Sequence, residues 1–590
     1  MAETSSRWID FVREITKILV AIPSVSPDAE AENRCAEKIR ELLAVDSLAP
    51  TYWDTGDGRK NVACLLKSDN PNNTGRTIIL MSHFDTVGVE DFARFGDMNI
   101  AFQPDELAKI MQATLEQKDS LTTSEQSALI ALQSDEWMFG RGSVDMKSGA
   151  AINIAIMREF ARKQENGKRL IDELAGNLLF LSCPDEETES AGILSAIPEL
   201  LKLREEENLI YLGVINTDYT APRDSNQDAR FVYSGTVGKL LPSFYLLGAR
   251  THVGEIYRGV DASHIAAELV SHINLNSDWT DLWRGSSGGE EIVEVAPPPV
   301  ALRMRDLKLS YNVETAGEAF VYFNWLTLTL TPEDAITKMD EAAHAALGAV
   351  RLRQEQSFSD FSLRGGQTRP LLNWQPVVLD YDALFEKAKK RWDAENNAKD
   401  FSGWLKNRTE EFAAIAKDGR ELSRMIVAEL AKVAQIGGPA VIAFFSPPYY
   451  PSVQPQENVL TLAVKSVLGE SSEQIQFRGY YPYISDLSYL RLDSGIEADA
   501  LKKNMPLFGM RDSRDSLFYS LDSAKLSDIR ALDCPVVNIG PFGSDAHGLY
   551  ERVYMPYSFE TVPQIIFDTI CNVLEEIENR VGTQINADGR

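Results

Sequence analysis

The sequence has few of the features that would identify a disulfide-linked, secreted or membrane-spanning protein. It contains 5 cysteines in 590 residues, an odd number with no CxxC pair, which argues against a disulfide framework or a zinc knuckle. No apolar run approaches the roughly 20 residues that span a bilayer, and the first residues are typical of an amphipathic helix, not of a leader peptide. These absences predict a cytoplasmic protein with no membrane partner.

Positive charge is also scarce. Lys and Arg number 59 against 87 Asp and Glu, a formal net charge of −28, so the chain lacks the basic surface of a general nucleic-acid binder. Its apolar fraction of 44% is typical of a globular protein, and 590 residues exceed what one core ordinarily holds. We therefore expect at least two domains and no nucleic-acid partner.

The first part of the chain alternates helical and strand patterns. Amphipathic spacing and short apolar runs predict helices over 6–21, 30–44 and 148–165, and strands over 61–67, 77–83, 177–183 and 209–217. Such alternation predicts an α/β domain with a mainly parallel sheet. A polar stretch at 96–135 is interpreted as an inserted helical segment.

After about residue 230 the pattern becomes that of an α+β domain. The alternating stretches 231–250 and 321–330 predict strands, and 261–274 predicts a helix. The charged segment 355–435 is interpreted as a helical elaboration of this domain. The segment 445–455, rich in Pro and Tyr, is interpreted as the exit from it.

The end of the chain returns to α/β character. A buried strand is predicted at 534–540 and a closing helix at 559–580. We therefore expect one α/β domain in two parts, 1–230 and 451–590, around an inserted domain at 231–450.

Polar residues stand where predicted strands end, which is where sites in open α/β sheets lie. They are His83 and Asp85 (MSHFD), Asp145 (GRGSVDMKSG), Glu186 and Glu187 (SCPDEETES), Asp218 (VINTD) and His547 (SDAHG). Each alone has an ordinary explanation: a helix N-terminal charge, a solvated turn or a loop histidine. Together, imidazole and carboxylate groups from several strand ends predict a metal site.

These motifs, in this order, resemble the M20 family of metallopeptidases and amidohydrolases. The length and extra segments are similar to its arginine-utilisation (RocB-like) branch. The resemblance implies an α/β catalytic domain, with a mainly parallel sheet and a co-catalytic metal site, and an inserted α+β lid domain that also forms a dimer. It implies a hydrolase that cleaves an amide, peptide or carbamoyl C–N bond of a small substrate or short peptide, with an arginine- or ornithine-related compound suggested by the branch.

The resemblance also implies a role for each ligand. His83 and Asp218 would bind one divalent ion, Glu187 and His547 the other, and Asp145 would bridge both. Imidazole and carboxylate ligands suit zinc, with manganese or cobalt as alternatives. Two such ions about 3.5–4 Å apart can share and activate a water molecule.

The resemblance implies that Glu186 is the general base and that Asp85 orients His83. Residues i and i+2 of a strand project to one face, so Asp85 and His83 are expected side by side. A carboxylate in that position fixes the tautomer of a ligating imidazole.

The chain departs from the family pattern at two positions. Glu189 stands where the family usually has Gly after its acidic motif. Asn312 fits a substrate-binding Asn of the lid, but Leu326 stands where the family has an Arg that binds a substrate carboxylate. Either a nearby Arg303 or Arg305 substitutes, or the substrate is not a standard acylated amino acid.

His252 lies in a setting that resembles the family's G-x-x-x-H-x-G lid motif. The resemblance implies a homodimer formed through the lid, in which His252 enters the partner's site and stabilises the developing oxyanion. The alternative is a non-catalytic binding or regulatory protein on the same fold. Such a protein has no need of Glu186, so its presence favours the enzyme.

Overall fold

The computed structural model of the chain describes residues 5–45, 47–222, 229–287, 290–395, 400–470, 475–493, 498–509 and 521–575. The chain divides into two compact units. The first comprises Met1–Thr236, Gln454–Arg491 and Asp528–Arg590, and the second comprises Val237–Val453 and Leu492–Ser527. The segment 492–527, expected from the sequence to belong with the last part of the α/β domain, clusters with the second unit.

The described strands are, in chain order, β1 (Thr51–Asp54), β2 (Lys60–Leu66), β3 (Arg76–His83), β4 (Trp137–Phe139), β5 (Asn177–Cys183), β6 (Ile210–Asn216), β7 (Arg230–Tyr233), β8 (Gly238–Leu247), β9 (Leu282–Ser287), β10 (Glu290–Val295), β11 (Val300–Asp306), β12 (Glu318–Thr327), β13 (Val377–Asp380), β14 (Ala440–Tyr450), β15 (Ile475–Arg478), β16 (Val536–Asn538), β17 (Gly543–Ser544) and β18 (Arg552–Tyr554).

The described α-helices are α1 (Ser5–Val20), α2 (Ala29–Leu43), α3 (Pro104–Glu116), α4 (Thr123–Leu132), α5 (Lys147–Ala161), α6 (Ala191–Glu206), α7 (Ala262–Ile273), α8 (Pro332–Leu363), α9 (Tyr381–Glu395), α10 (Phe401–Ala413), α11 (Gly419–Val433), α12 (Val459–Glu470), α13 (Ala498–Asn504), α14 (Ser523–Leu532) and α15 (Val562–Leu574).

The first unit contains an eight-stranded sheet in the order β1-β2-β5-β3-β6-β16-β7-β15. Its central strands β5, β3, β6 and β16 are parallel, whereas β1 with β2, β2 with β5, and β16 with β7 are antiparallel. Every residue of β5 is buried, and β3 is buried after its first residue. Burial on both faces explains the continuous apolar runs in these strands, and the predicted α/β class is confirmed.

Helices of the first unit pack apolar stripes into its core. The α1 stripe of Trp8, Val12, Ile15 and Leu19 is buried, as its spacing predicted. Nearly all of α5 is buried, including its polar Asn153. Because α5 is surrounded by the core, the turn at its N-terminus is held on a rigid element.

The second unit contains a five-stranded sheet in the order β11-β12-β8-β14-β13. All its pairings are antiparallel except that of β13 with β14. Every residue of β14 is buried, so residues 445–450 form part of a strand, and the chain leaves the second unit after Val453, within the segment interpreted as the exit. A register shift between Ser446 and Tyr450 accommodates the prolines that obscured this strand in the sequence.

Most predicted elements are present within a few residues of their expected bounds. The helix α6, which follows the acidic turn, is an element that the sequence analysis missed. Residues 576–580 of the predicted closing helix lie outside the described residues. Among the described residues, no helix has both the length and the apolar character needed to cross a bilayer.

Candidate metal centre

Three neighbouring strands of the first unit end at the predicted site. β3 ends at His83, β5 ends just before the turn with Glu186 and Glu187, and β6 ends just before Asp218. The order β5-β3-β6 with parallel pairing brings these ends to one edge of the sheet. The four side chains therefore meet because of the topology.

Two further residues come from turns. Asp145 lies in the Gly-rich turn just before α5, and His547 lies in the loop between β17 and β18. β18 pairs with β4, the strand that precedes the Asp145 turn. This small sheet brings the two turns together although they are far apart in sequence.

Asp145 lies between the two histidines. Its Oδ1 is 3.2 Å from Nε2 of His83, and its Oδ2 is 3.0 Å from Nε2 of His547. Nε2 of His547 is also 3.0 Å from Oε1 of Glu187. One carboxylate thus faces both imidazoles, as a bridging ligand would.

The imidazole nitrogens and carboxylate oxygens form compact triads of a kind that could hold divalent ions. His83, Asp145 and Asp218 form one triad, and Asp145, Glu187 and His547 form another, with the atoms of each triad within 4.8 Å of one another. Glu186 joins His83 and Glu187 in a third such group. Nitrogen and oxygen donors in this number suit zinc, manganese or cobalt.

Negative charge dominates the site. Burial raises the pKa of Glu187 to about 7 and that of Asp218 to about 6, and the carboxylate of Asp145 adds to both shifts. Burial would lower the pKa of His547, but its hydrogen bonds to Asp145 and Glu187 raise the pKa to about 11. Buried carboxylates in this arrangement favour a bound cation.

Asp85 contacts both sides of the site. Nδ1 of His83 lies 3.2 Å from the backbone carbonyl of Asp85 and 3.5 Å from its carboxylate. The two carboxylate oxygens of Asp85 accept hydrogen bonds from the backbone N–H groups of Glu186 and Glu187, each at 3.1 Å. Asp85 therefore contacts the acidic turn as well as the imidazole, which the sequence analysis did not foresee.

A buried ion-pair network stabilises the acidic turn that carries Glu186 and Glu187. Asp185 has a left-handed backbone with φ of 69°, and its carboxylate accepts from the backbone N–H of Ala191 at 2.9 Å and pairs with Arg59. Arg59 also lies 3.4 Å from the buried carboxylate of Glu32. These contacts hold the turn that presents Glu186.

A second buried ion pair joins the turns that carry Asp145 and His547. Arg141 pairs with Glu551, and its guanidinium donates to the backbone carbonyl of His547 at 3.0 Å. Oε1 of Glu551 accepts from the backbone N–H of Val144 at 3.4 Å, next to Asp145. This pair was not predicted from the sequence, although the arginine between two glycines in the motif GRG was a usable signal.

Asp218 is fixed by the neighbouring strand β16. The Oδ1 of Asn538 accepts from the backbone N–H of Asp218 at 3.1 Å, and its Nδ2 donates to the backbone carbonyl of Asp218 at 2.8 Å. A Cβ at Gly540 would lie 1.7 Å from that same carbonyl oxygen. Neither residue carries a sequence signal for this role, because both depend on the pairing of β6 with β16.

Two further groups near the site were not predicted. Asp486 is buried, and burial raises its pKa to about 8. Its Oδ1 accepts no hydrogen bond among the described residues. The ring of Tyr219, next in sequence to Asp218, stacks on Tyr483 with centroids 4.9 Å apart.

His252 and Asn312 belong to the second unit. His252 precedes the 3₁₀ segment Val253–Arg258, and its Nδ1 accepts from the backbone N–H of Gly254 at 3.1 Å. Asn312 is exposed and bonds through its side chain to Glu314 at 3.3 Å. The structure therefore brings together the predicted residues of the first unit, and the roles of these two remain predictions.

An α/β domain with paired histidine–carboxylate triads at its strand ends is typical of hydrolases that use two metal ions. Residues 118–494 match the sequence profile described as "Peptidase family M20/M25/M40". The chain belongs to this family and is a hydrolase of C–N bonds. The matched residues include Asp145, Glu186, Glu187 and Asp218, whereas His83 and His547 lie outside the match.

Two relatives from Bacillus subtilis (strain 168) confirm the RocB-like branch. The uncharacterised protein YqjN is 32% identical over 542 residues, which cover 90% of this chain and 89% of YqjN. The protein RocB is 31% identical over 530 residues, which cover 88% of this chain and 85% of RocB.

Solved structures also resemble this chain. Aminopeptidase PepT from Bacillus cereus has a TM-score of 0.47 at 12% identity, covering 96% of this chain and 98% of that chain. The YXEP protein of Bacillus subtilis, a dinuclear metal-binding peptidase of the M20 family, has a TM-score of 0.44 at 11% identity, covering 97% and 100%.

Proposed function

We propose that the chain hydrolyses a peptide or related amide bond of a small substrate, with two divalent ions held by the two triads. Zinc is the first candidate, with manganese and cobalt as alternatives. The observation that carries the proposal is the position of Asp145, whose two oxygens face His83 and His547 at 3.2 and 3.0 Å. A pair of divalent ions supplies Lewis acidity and lowers the pKa of a water molecule.

Glu186 is proposed to transfer the proton. Its Oε2 lies 3.9 Å from Nε2 of His83, and its side chain is largely buried. Burial raises the pKa of Glu186 well above its usual range, and the carboxylates of Asp486 and Glu187 add to the rise against the opposing His83. A carboxylate of this kind can accept a proton from the attacking water and return it to the leaving amine.

The substrate is proposed to be an arginine- or ornithine-related amino-acid derivative. The similarity to RocB supports this class. Leu326 stands where the family has an Arg, and of the two nearby arginines, Arg305 pairs with Glu421. Arg303 therefore remains the better candidate for a carboxylate contact from the lid. We also propose a homodimer through the second unit, with His252 completing the partner's site.

The test is a substrate screen of the purified chain loaded in turn with zinc, manganese and cobalt. The panel comprises dipeptides and tripeptides, N-acyl amino acids and N-carbamoyl amino acids, each with arginine, ornithine and leucine side chains. Hydrolysis of a peptide or acyl bond by wild-type protein, lost in Glu186→Gln, is the expected result. Binding of these compounds without turnover in any metal form would favour the non-catalytic alternative.

A further inference from the structure

The loop over residues 545–550, here called the His547 loop, has an unfavourable backbone. Asp545 and His547 have φ of 56° and 63°, in the left-handed region that non-glycine residues seldom adopt. Within the loop, the N–H of Gly548 donates to the carbonyl of Asp545 at 2.8 Å. The His547 side chain is 50% exposed, so packing around the imidazole does not fix it. Contacts from outside must set the loop conformation.

Arg552, at the start of β18, connects the His547 loop to helix α4. Its guanidinium pairs with the carboxylate of Asp545 and donates to the carbonyl of Tyr550 at 2.9 Å. The same group donates to Oγ of Ser127 on α4, also at 2.9 Å. The side chain of Arg552 is only 3% exposed and lies over the ring of Trp137 at 5.4 Å. One buried cation thus fixes the loop against the helix.

Two more side chains of α4 bond to the loop directly. The hydroxyl of Tyr550 donates to Oε1 of Glu125 at 3.3 Å, and Oγ of Ser124 donates to Oδ1 of Asp545 at 3.4 Å. Glu125 is itself fixed, because its Oε2 accepts from the backbone N–H of Thr122 at 2.9 Å in a capping box. The first turn of α4 therefore presents ordered partners to the loop.

We propose that α4 is a positioning element for the triad of Asp145, Glu187 and His547, although it supplies none of the ligands. Ser127 of α4 accepts a hydrogen bond from Arg552, and Glu125 of α4 accepts one from Tyr550 of the loop. These two contacts hold the loop in the conformation that places the imidazole of His547 against the two carboxylates. The inference rests on the proposed metal function and names what controls the affinity for one of its two ions. Partners of this kind typically change metal affinity about 10- to 100-fold.

The test is a titration of the full chain with Co²⁺ alone, followed by visible absorption. The double variant Ser127→Ala/Tyr550→Phe removes both contacts with little change of shape. We expect its Kd to rise at least about tenfold for the binding step that His547→Ala abolishes, with the other step changed by less than about twofold. The control Ser362→Ala/Tyr211→Phe removes the same groups away from the loop and should match wild type. The single variant Ser127→Thr, with Tyr550 unchanged, keeps the hydroxyl and should bind Co²⁺ with wild-type affinity.

Hydrogen exchange of the metal-free chain gives a second readout. Peptides that cover 545–550 should exchange faster in the double variant than in the control, while peptides that cover β3 should not change. Equal weakening of both Co²⁺ steps, or unchanged affinity with unchanged exchange, would overturn the proposal. If wild type binds fewer than two Co²⁺ ions, the proposed metal function fails, and the exchange comparison still decides whether α4 positions the loop.

Discussion

The side-chain amide of Asn538 hydrogen bonds to both the N–H and the carbonyl of Asp218, at 3.1 and 2.8 Å. An asparagine side chain thus pairs with a backbone peptide as a strand would. Because Asn538 is the last residue of β16, the position of Asp218, a predicted metal ligand just after β6, depends on a strand near the end of the chain. The backbone of Asp218 lies so close to Gly540 that a side chain at position 540 would clash with the Asp218 carbonyl oxygen.

Gly540→Ala should displace Asp218. The added Cβ would lie 1.7 Å from the carbonyl oxygen of Asp218, and backbone must move to admit it. We expect a loss of about 1–3 kcal/mol in the free energy of unfolding and loss of at least one ion, measured by urea unfolding and elemental analysis. The control is Gly348→Ala, whose Cβ would meet no atom within 4 Å. Wild-type metal content in Gly540→Ala would contradict this account.

Asp145→Ala should lower the occupancy of both ions. Its two oxygens face different histidines, and Asp145 is the one predicted ligand that belongs to both triads. Elemental analysis after reconstitution with zinc should give about two ions per chain for wild type and far fewer for the variant. Asp105→Ala, which removes an exposed carboxylate paired with Lys17, is the control. Metal-free wild type after reconstitution would refute the site.

Glu186→Gln should keep the metals and lose most of the rate. General acid–base catalysis typically contributes about 10²–10⁴-fold, and an amide cannot accept the proton. The measurements are kcat with the best substrate of the screen and metal content of the same sample. Glu189→Gln on the same turn should retain activity. Because Glu186 also groups with His83 and Glu187, a parallel loss of metal would make it a ligand instead of a base.

Asp85→Asn should weaken the acidic turn. Both oxygens of Asp85 accept backbone N–H groups at 3.1 Å, and an asparagine can accept at only one of them. Hydrogen bonds to charged groups contribute about 1.5–3 kcal/mol each, so we expect a stability loss of that size. Urea unfolding of the metal-free chain measures it, and the exposed Asp91→Asn is the control. Unchanged stability would mean that these contacts are replaced without cost.

Mixed dimers test the predicted role of His252. His252→Ala and Glu186→Ala chains, each expected to be inactive, should regain roughly a quarter of wild-type activity when subunits exchange at random, because a mixed two-fold dimer has one complete site. Exchange is followed with fluorescently labelled chains. Confirmed exchange without recovery would place His252 in its own subunit's site or in none. If the protein is a monomer in solution and the labelled chains never associate, the predicted dimer is refuted.

The clustering of the predicted site residues could be foreseen from the sequence, because they follow strand ends or Gly-rich turns that the fold brings to one edge. His83 and Asp218 are examples, since apolar runs before them predict parallel strands. The residues that hold these side chains in place could not be predicted in the same way. The contact of Arg141 with the His547 carbonyl depends on which turns become neighbours, and that depends on the register of β4 with β18.

Hydrogen bonds between side chains and backbone atoms also could not be predicted from the sequence. Asp85 was expected to orient His83, and its contact with the backbone of Glu187 requires the left-handed Asp185, which no local pattern predicts. The polar segment 96–135 was interpreted as an inserted helical segment, and no role was assigned to it. Its capping box at Thr122 could be read from the sequence, but the hydrogen bond from Tyr550, far along the chain, to Glu125 could not.

The central place of β16 in the first sheet has a consequence for how the protein is made in the cell. β16 lies between β6 and β7 in the sheet but is synthesised long after both. Pairing between segments so distant along the chain is slow, because the intervening loop must close first. A growing chain on the ribosome therefore has neither the strand that fixes Asp218 nor the loop that carries His547. The candidate metal site is therefore complete only after residues 536–547 have been synthesised.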